Sequence, residues 1–136
     1  MAPAFTEGNF KGLSLNAVKE IILRSTDFDA NNLFFVEGDF RKSLKEYKVD
    51  TKTNFPLVFH VDCDIYSSSK VVLEWVAQNA RDGSWLLCDD YWTYRGHPNM
   101  GQRRAVGEVF TNHPRVHLSR YSNYKGFSSA FIINLK

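Results

Sequence analysis

Two aspartate pairs, Asp62-Cys63-Asp64 and Asp89-Asp90, each close a short apolar run, Leu57-Val58-Phe59-His60-Val61 and Trp85-Leu86-Leu87-Cys88. Residues i and i+2 of an extended chain point to one side, so Asp62 and Asp64 can converge while Cys63 turns away. If the two runs are neighbouring strands, about 4.8 Å apart, three or four carboxylates crowd one small volume. Their repulsion would raise at least one pKa, and a hard divalent ion such as Mg²⁺ would relieve it. The competing reading is that strand-end acids merely cap the next helix or tighten a turn. Two such pairs on consecutive strands, each followed by a tyrosine (Tyr66 and Tyr91), favour a functional cluster.

Those aspartates need elements to hold them. Val72, Trp75 and Val76 share one helical face after the hydroxyls Ser67 to Ser69, and Gly83 follows the end of that helix. Strand, helix, strand within about 30 residues predicts a βαβ unit with a right-handed crossover. Upstream, Ser14 can cap a helix over Leu13 to Arg24, with Leu15, Val18 and Ile22 on one face. Leu33-Phe34-Phe35-Val36 has the continuous apolar character of a strand buried on both faces. A weaker helical turn spans Arg41 to Tyr47, before a polar loop from Asp50 to Asn54. Downstream, Gln102 to Phe110 predicts a helix with Ala105, Val106, Val109 and Phe110 inward. Arg115 to Arg120 alternates as a half-buried strand, Asn123 and Gly126 mark a turn, and Phe127 to Leu135 returns antiparallel. The expectation is one α/β domain over residues 1–136.

Composition narrows the classes. With 136 residues, 43% hydrophobic and 24% charged, a single core is expected. A net charge of +2 is too small and too evenly spread for a nucleic-acid footprint. No apolar run is long enough to span a bilayer, and the opening MAPAFTEGNFKG lacks the pattern of a signal peptide. Two cysteines make no disulfide framework, so a cytoplasmic protein with reduced thiols is expected, without nucleic-acid or membrane partners.

The segment Phe59-His-Val-Asp-Cys-Asp-Ile-Tyr-Ser-Ser-Ser69 resembles the LDGDLYxST stretch of the macrocin O-methyltransferase (TylF-like) family. Asp82-Gly-Ser-Trp-Leu-Leu-Cys-Asp-Asp-Tyr91 is similar to that family's PGGxxxxDDY. Val36 to Leu44 resembles VxGxFxDTL, and Gln102 to Phe110 resembles CRxAVxEF, all four blocks in the family's order. The resemblance implies a Rossmann-like, class I three-layer sandwich, mostly parallel with a carboxyl-terminal antiparallel strand pair. It implies S-adenosylmethionine as methyl donor and Mg²⁺ held by Asp62, Asp89 and Asp90, with Asp64 as general base toward a hydroxyl-bearing small molecule such as a sugar. Cys63 stands where the family has glycine. No G-x-G-x-x-G is present, so the chain resembles the carboxyl-terminal half of such an enzyme, and its cofactor-binding residues are unknown. The family's strands that would separate Leu33–Val36 from Leu57–Val61 have no counterpart. Either those two runs pair directly, or a homodimer or partner chain covers an exposed central edge.

Tyr91, Trp92 and His97, in the loop after the second acid pair, are candidates to contact the acceptor. The same aromatics could simply pack the loop down, and His97 could be a solvated loop residue. His60 reads as hydrogen-bonded structure, and the pair Arg103-Arg104 as a solvated helix start able to meet an acidic acceptor. A zinc set of Cys63, Cys88, His60 and His97 is disfavoured, because no C-x-x-C spacing exists and hard carboxylates dominate. Two rivals to the enzyme remain: a non-catalytic metal-binding or assembly module derived from a methyltransferase, and metal-assisted hydrolysis on the same fold.

Overall fold

The structure, a computed structural model, describes residues 12–49 and 56–136; the expected polar loop from Asp50 to Asn54 lies outside them. The chain divides into two compact units, one ending at Glu37 and a larger one, Gly38–Lys136. In the first, α1 (Leu15–Ser25) begins where Ser14 accepts a hydrogen bond from the Ala17 amide, as its sequence predicts. A 3₁₀ turn, Ala30–Asn32, is capped by Asp29. Leu33 to Val36 is not a strand, and Phe34 is 79% exposed. An apolar run becomes a strand only where a neighbouring strand takes up its amides and carbonyls; the Leu33 amide donates instead to the Ala30 carbonyl of the 3₁₀ turn, and among the described residues no strand pairs with the run. The expected pairing of this run with Leu57–Val61 is therefore absent.

The larger unit is built as α2 (Phe40–Glu46), β1 (Val58–Val61), α3 (Tyr66–Asn79), β2 (Ser84–Cys88), α4 (Gly101–Phe110), β3 (Val116–Asn123) and β4 (Ser129–Leu135). The sheet order is β1-β2-β4-β3. β1 and β2 are parallel, giving the expected βαβ unit, while β4 is antiparallel to both β2 and β3. The sheet is thus mixed rather than mostly parallel, because the run at Leu33 contributes no strand. The antiparallel carboxyl-terminal pair forms as expected. Cys88 pairs with Ser129, and Asn123 pairs with Ser129. The ends of β1, β2 and β3 and the start of β4 consequently share one rim of the sheet.

Side chains in the row Phe59–Leu86–Phe131 face α3 and α4 and build the core with Val61, Leu73, Val76, Ala105, Phe110, Val116 and Ile133. Leu73, Val76 and Ala77 make the inward stripe of α3; Val72 and Trp75, predicted to point in, are half-buried at its margin. On α4 the inward residues are Ala105, Val106 and Phe110, with Val109 half-buried. The opposite sheet face carries Val58, His60, Trp85, Leu87 and Ile132, all exposed or half-buried. Among the described residues of this unit, α3 and α4 form the layer packed on one face of the sheet. No described helix is long and apolar enough to cross a membrane.

The rim loop is fixed by close packing. Gly101 opens α4 at φ +55, and a Cβ there would lie 2.6 Å from Cδ2 of the Tyr94 ring. Gly101→Ala is expected to cost about 2–3 kcal/mol through the left-handed backbone and the clash together. Gly107→Ala, in open space on the same helix, is expected to gain up to about 1 kcal/mol. Urea denaturation of both variants measures the contrast.

Candidate active site at the strand-end rim

The turn after β1 brings Asp62 and Asp64 to the rim, and the turn after β2 brings Asp90. One carboxylate oxygen from each lies within 4.8 Å of the others. The Asp64 amide donates to Oδ2 of Asp90 at 3.1 Å, and Asp64 itself is held at φ +51. A left-handed backbone costs an ordinary residue about 1–2 kcal/mol, although Asp tolerates it better than most. Asp64→Gly is therefore expected to leave thermal stability equal or up to about 1 kcal/mol higher while deleting one carboxylate. A thermal melt with and without Mg²⁺ reads both effects.

Asp90 is half-buried, and its carboxyl is pushed above the usual range, first by burial and then by the charges of Asp64, Asp62 and Asp89. The hydrogen bond from the Asp64 amide only partly offsets this. Cys63 lies between the acids, and burial together with Asp62, Asp64 and Asp90 lifts its thiol to about 11. Cys88 is fully buried, and burial pushes its thiol up as well.

Asp89 does not join the cluster, and the expected set of Asp62, Asp89 and Asp90 is not the one that converges. Oδ1 of Asp89 accepts from Ser128 Oγ at 3.1 Å, Tyr124 Oη at 3.2 Å and Lys125 Nζ at 3.3 Å. His60 Nε2 stands 3.5 Å from the same oxygen. Partial burial works to raise its pKa, but donation from Lys125 and Ser128 and the Lys125 charge outweigh it and hold the carboxyl low. Asp89 belongs to the β3–β4 hairpin contact, on the side that carries His60. Consecutive residues turn to opposite sides, so the adjacency of Asp89 and Asp90 was itself a signal that only one could face Asp62 and Asp64.

The residue that composes the site without having been singled out for it is Gln102. Fully buried in the first turn of α4, it accepts from the Asp90 amide at 3.0 Å and donates to the Val61 carbonyl at 3.0 Å. One side chain thus ties the end of β1 to the turn after β2 and sets the spacing of the carboxylates. The Asp89 amide adds a second tie, donating to the same Val61 carbonyl at 3.0 Å. Farther along, Glu108 accepts from Lys70 at 2.8 Å, Tyr66 at 2.6 Å and Arg104 at 2.8 Å, binding α3 to α4. These donors, Lys70 foremost, hold its carboxyl at about 2.

Among the acceptor candidates, Tyr91 packs edge-on against Trp92 at 4.9 Å and against the core residue Phe131 at 5.1 Å. Trp92 is half-buried, its indole N–H donating to Asn123 at 2.9 Å. His97 is exposed and its Nδ1 accepts from the Asn99 amide at 3.2 Å, closing the loop.

The turn from β1 to α3, Asp62 to Ile65, contains no glycine. Among the described residues no glycine-rich strand–turn–helix offers a cradle for a nucleoside-linked cofactor.

No protein-family profile matches the sequence, and no curated protein matches it. Solved structures do. The apo structure of CalS11, a TDP-rhamnose 3'-O-methyltransferase of calicheamicin biosynthesis, is similar at a TM-score of 0.55 and 20% identity, over 71% of this chain and 40% of that one. A second CalS11 structure, described as a calicheamicin methyltransferase, gives 0.54 and 21% over 71% of this chain and 35% of that one. The chain spans well under half the length of these neighbours. The likeness establishes a methyltransferase-like fold and does not extend to the macrocin-type family.

Proposed function

We propose that this chain supplies the acceptor side of an O-methyl transfer: a divalent metal site and a base for a small hydroxyl-bearing substrate. The observation that carries the reading is the convergence of Asp62, Asp64 and Asp90 within 4.8 Å, on the rim of a sheet whose fold resembles an O-methyltransferase. Three hard oxygen donors suit Mg²⁺ and not a soft metal. Bound there, Mg²⁺ would neutralise the carboxylates and acidify a nearby hydroxyl. Asp62 and Asp90 would hold the ion; Asp64, exposed and held at φ +51 in the turn after β1, accepts the hydroxyl proton. Gln102 keeps the two strand ends at fixed spacing, which is what alignment for an in-line displacement requires.

The methyl donor in this reading is S-adenosylmethionine, as the methyltransferase neighbours suggest, and a TDP-linked sugar such as theirs is the kind of acceptor it supports. The described residues do not fit a cofactor cradle, so the donor half of the reaction falls to polypeptide outside the described residues. Calorimetry tests this directly. The chain alone should bind Mg²⁺ and give no heat with S-adenosylmethionine; absence of Mg²⁺ binding refutes the metal-site reading, and tight cofactor binding refutes the division of labour. The second reading, a non-catalytic assembly module, is favoured by the unpaired edge of β1 at the end of the described sheet order. It predicts the same Mg²⁺ binding with no methyl transfer in any reconstituted complex.

A further inference from the structure

We propose that Arg103 and Arg120, gathered on Trp92 beside the carboxylate rim, bind a phosphoryl group carried by the acceptor; this rests on the acceptor-site reading above. The Cζ atoms of both arginines lie 4.7 Å from the Trp92 ring centroid, so the two cannot be farther apart than twice that distance. Arg120 donates to Asn123 Oδ1 at 2.8 Å and to Ser129 Oγ at 3.3 Å, and Arg103 donates to the Gly96 carbonyl. Most of the N–H donors of the two guanidinium forks remain unassigned.

Neither guanidinium meets a carboxylate within 4.0 Å among the described residues. In contrast, Arg41 is paired with Asp39, Arg104 and Lys70 with Glu108, and Lys125 with Asp89. Two guanidinium groups held against one indole, neither paired with a carboxylate among the described residues, have N–H donors to offer an oxyanion at this place. A planar guanidinium fork matches phosphoryl oxygens particularly well.

Position gives the pair a role. Trp92 follows Asp90 by two residues, so their Cα atoms are at most about 7.6 Å apart. Arg103 follows Gln102, the residue that holds Asp90. The three carboxylates repel an anion, and the arginines attract it. A substrate with a hydroxyl at one end and a phosphoryl group at the other is therefore oriented hydroxyl-first toward the aspartates.

The test is a calorimetric titration of the whole chain with inorganic pyrophosphate in the presence of chelator, which keeps the metal site out of the measurement. Wild type should bind with millimolar or better affinity that falls as salt rises. Arg103→Gln and Arg120→Gln should each weaken binding about tenfold or more. Asp90→Asn should lose Mg²⁺ while keeping or modestly strengthening pyrophosphate binding, since one repelling carboxylate is gone, which separates failure here from failure of the metal-site reading. Because Arg120 also ties the β3–β4 hairpin, Arg120→Lys provides a folded comparison that keeps the charge and loses the fork; several-fold weaker binding is expected. Absence of pyrophosphate binding by wild type overturns the proposal. So does wild-type affinity in Arg103→Gln and Arg120→Lys proteins whose thermal melts are normal.

Discussion

Asp90→Asn is expected to weaken Mg²⁺ binding by more than about tenfold, whereas Asp89→Asn leaves it within about twofold. The two residues are adjacent in sequence, but only the Asp90 carboxylate lies with Asp62 and Asp64. The oxygen of Asp89 is occupied by Ser128, Tyr124 and Lys125. Isothermal titration of both variants decides the matter, and equal losses would return Asp89 to the ligand set. Acidity adds a second signature. Burial and the neighbouring carboxylates raise the Asp90 pKa, so Mg²⁺ affinity should begin to fall, as pH drops, above the ordinary carboxylate range. For the metal-free chain the sign is opposite. A raised carboxyl pKa means the folded state holds its proton more tightly than the unfolded state does. This contribution to stability therefore grows as pH falls through the raised value and levels off below the unfolded one. Asp90→Asn should remove that pH dependence, and Mg²⁺ should raise the melting temperature of wild type alone.

Gln102→Ala should be among the most damaging polar substitutions in the larger unit, at about 2–3 kcal/mol by urea denaturation. The side chain is fully buried, and its removal leaves the Asp90 amide without its acceptor. The Val61 carbonyl is affected less, because the Asp89 amide also donates to it. The rim loses its clasp at the same time, so Mg²⁺ affinity should fall even though no carboxylate is altered. Gln102→Glu provides the diagnostic comparison. Its carboxylate can still accept from Asp90 but sets an oxygen against the Val61 carbonyl, where only a protonated acid can donate. That variant should be destabilised at neutral pH and recover part of the loss as pH falls, because burial raises the pKa of the new acid. A pH-independent deficit would mean that Gln102 acts by volume alone.

Much of the larger unit was readable from local pattern. The existence of α3 and α4, the βαβ unit and the antiparallel return of β4 follow from spacing along the chain, because helix and strand repeats are properties of neighbouring residues. Acids at the ends of two neighbouring strands were legible for the same reason, although Asp64 reaches the cluster through a left-handed turn that the strand repeat does not describe. What spacing did not decide is whether an apolar run finds a partner: Leu33 to Val36 has the composition of a buried strand, but strand formation depends on hydrogen bonds from a distant segment. Nor did it decide which way Asp89 turns, since that is fixed by Ser128, Tyr124 and Lys125, more than thirty residues away. Gln102 reads as a polar helix start, and only the meeting of α4 with the ends of β1 and β2 buries it and makes it a clasp. The sequence by itself determined the chemical character of the rim, hard acids at strand ends, through local periodicity. The tertiary structure alone decided which three acids meet and what holds them, because those contacts join segments that the chain order keeps apart.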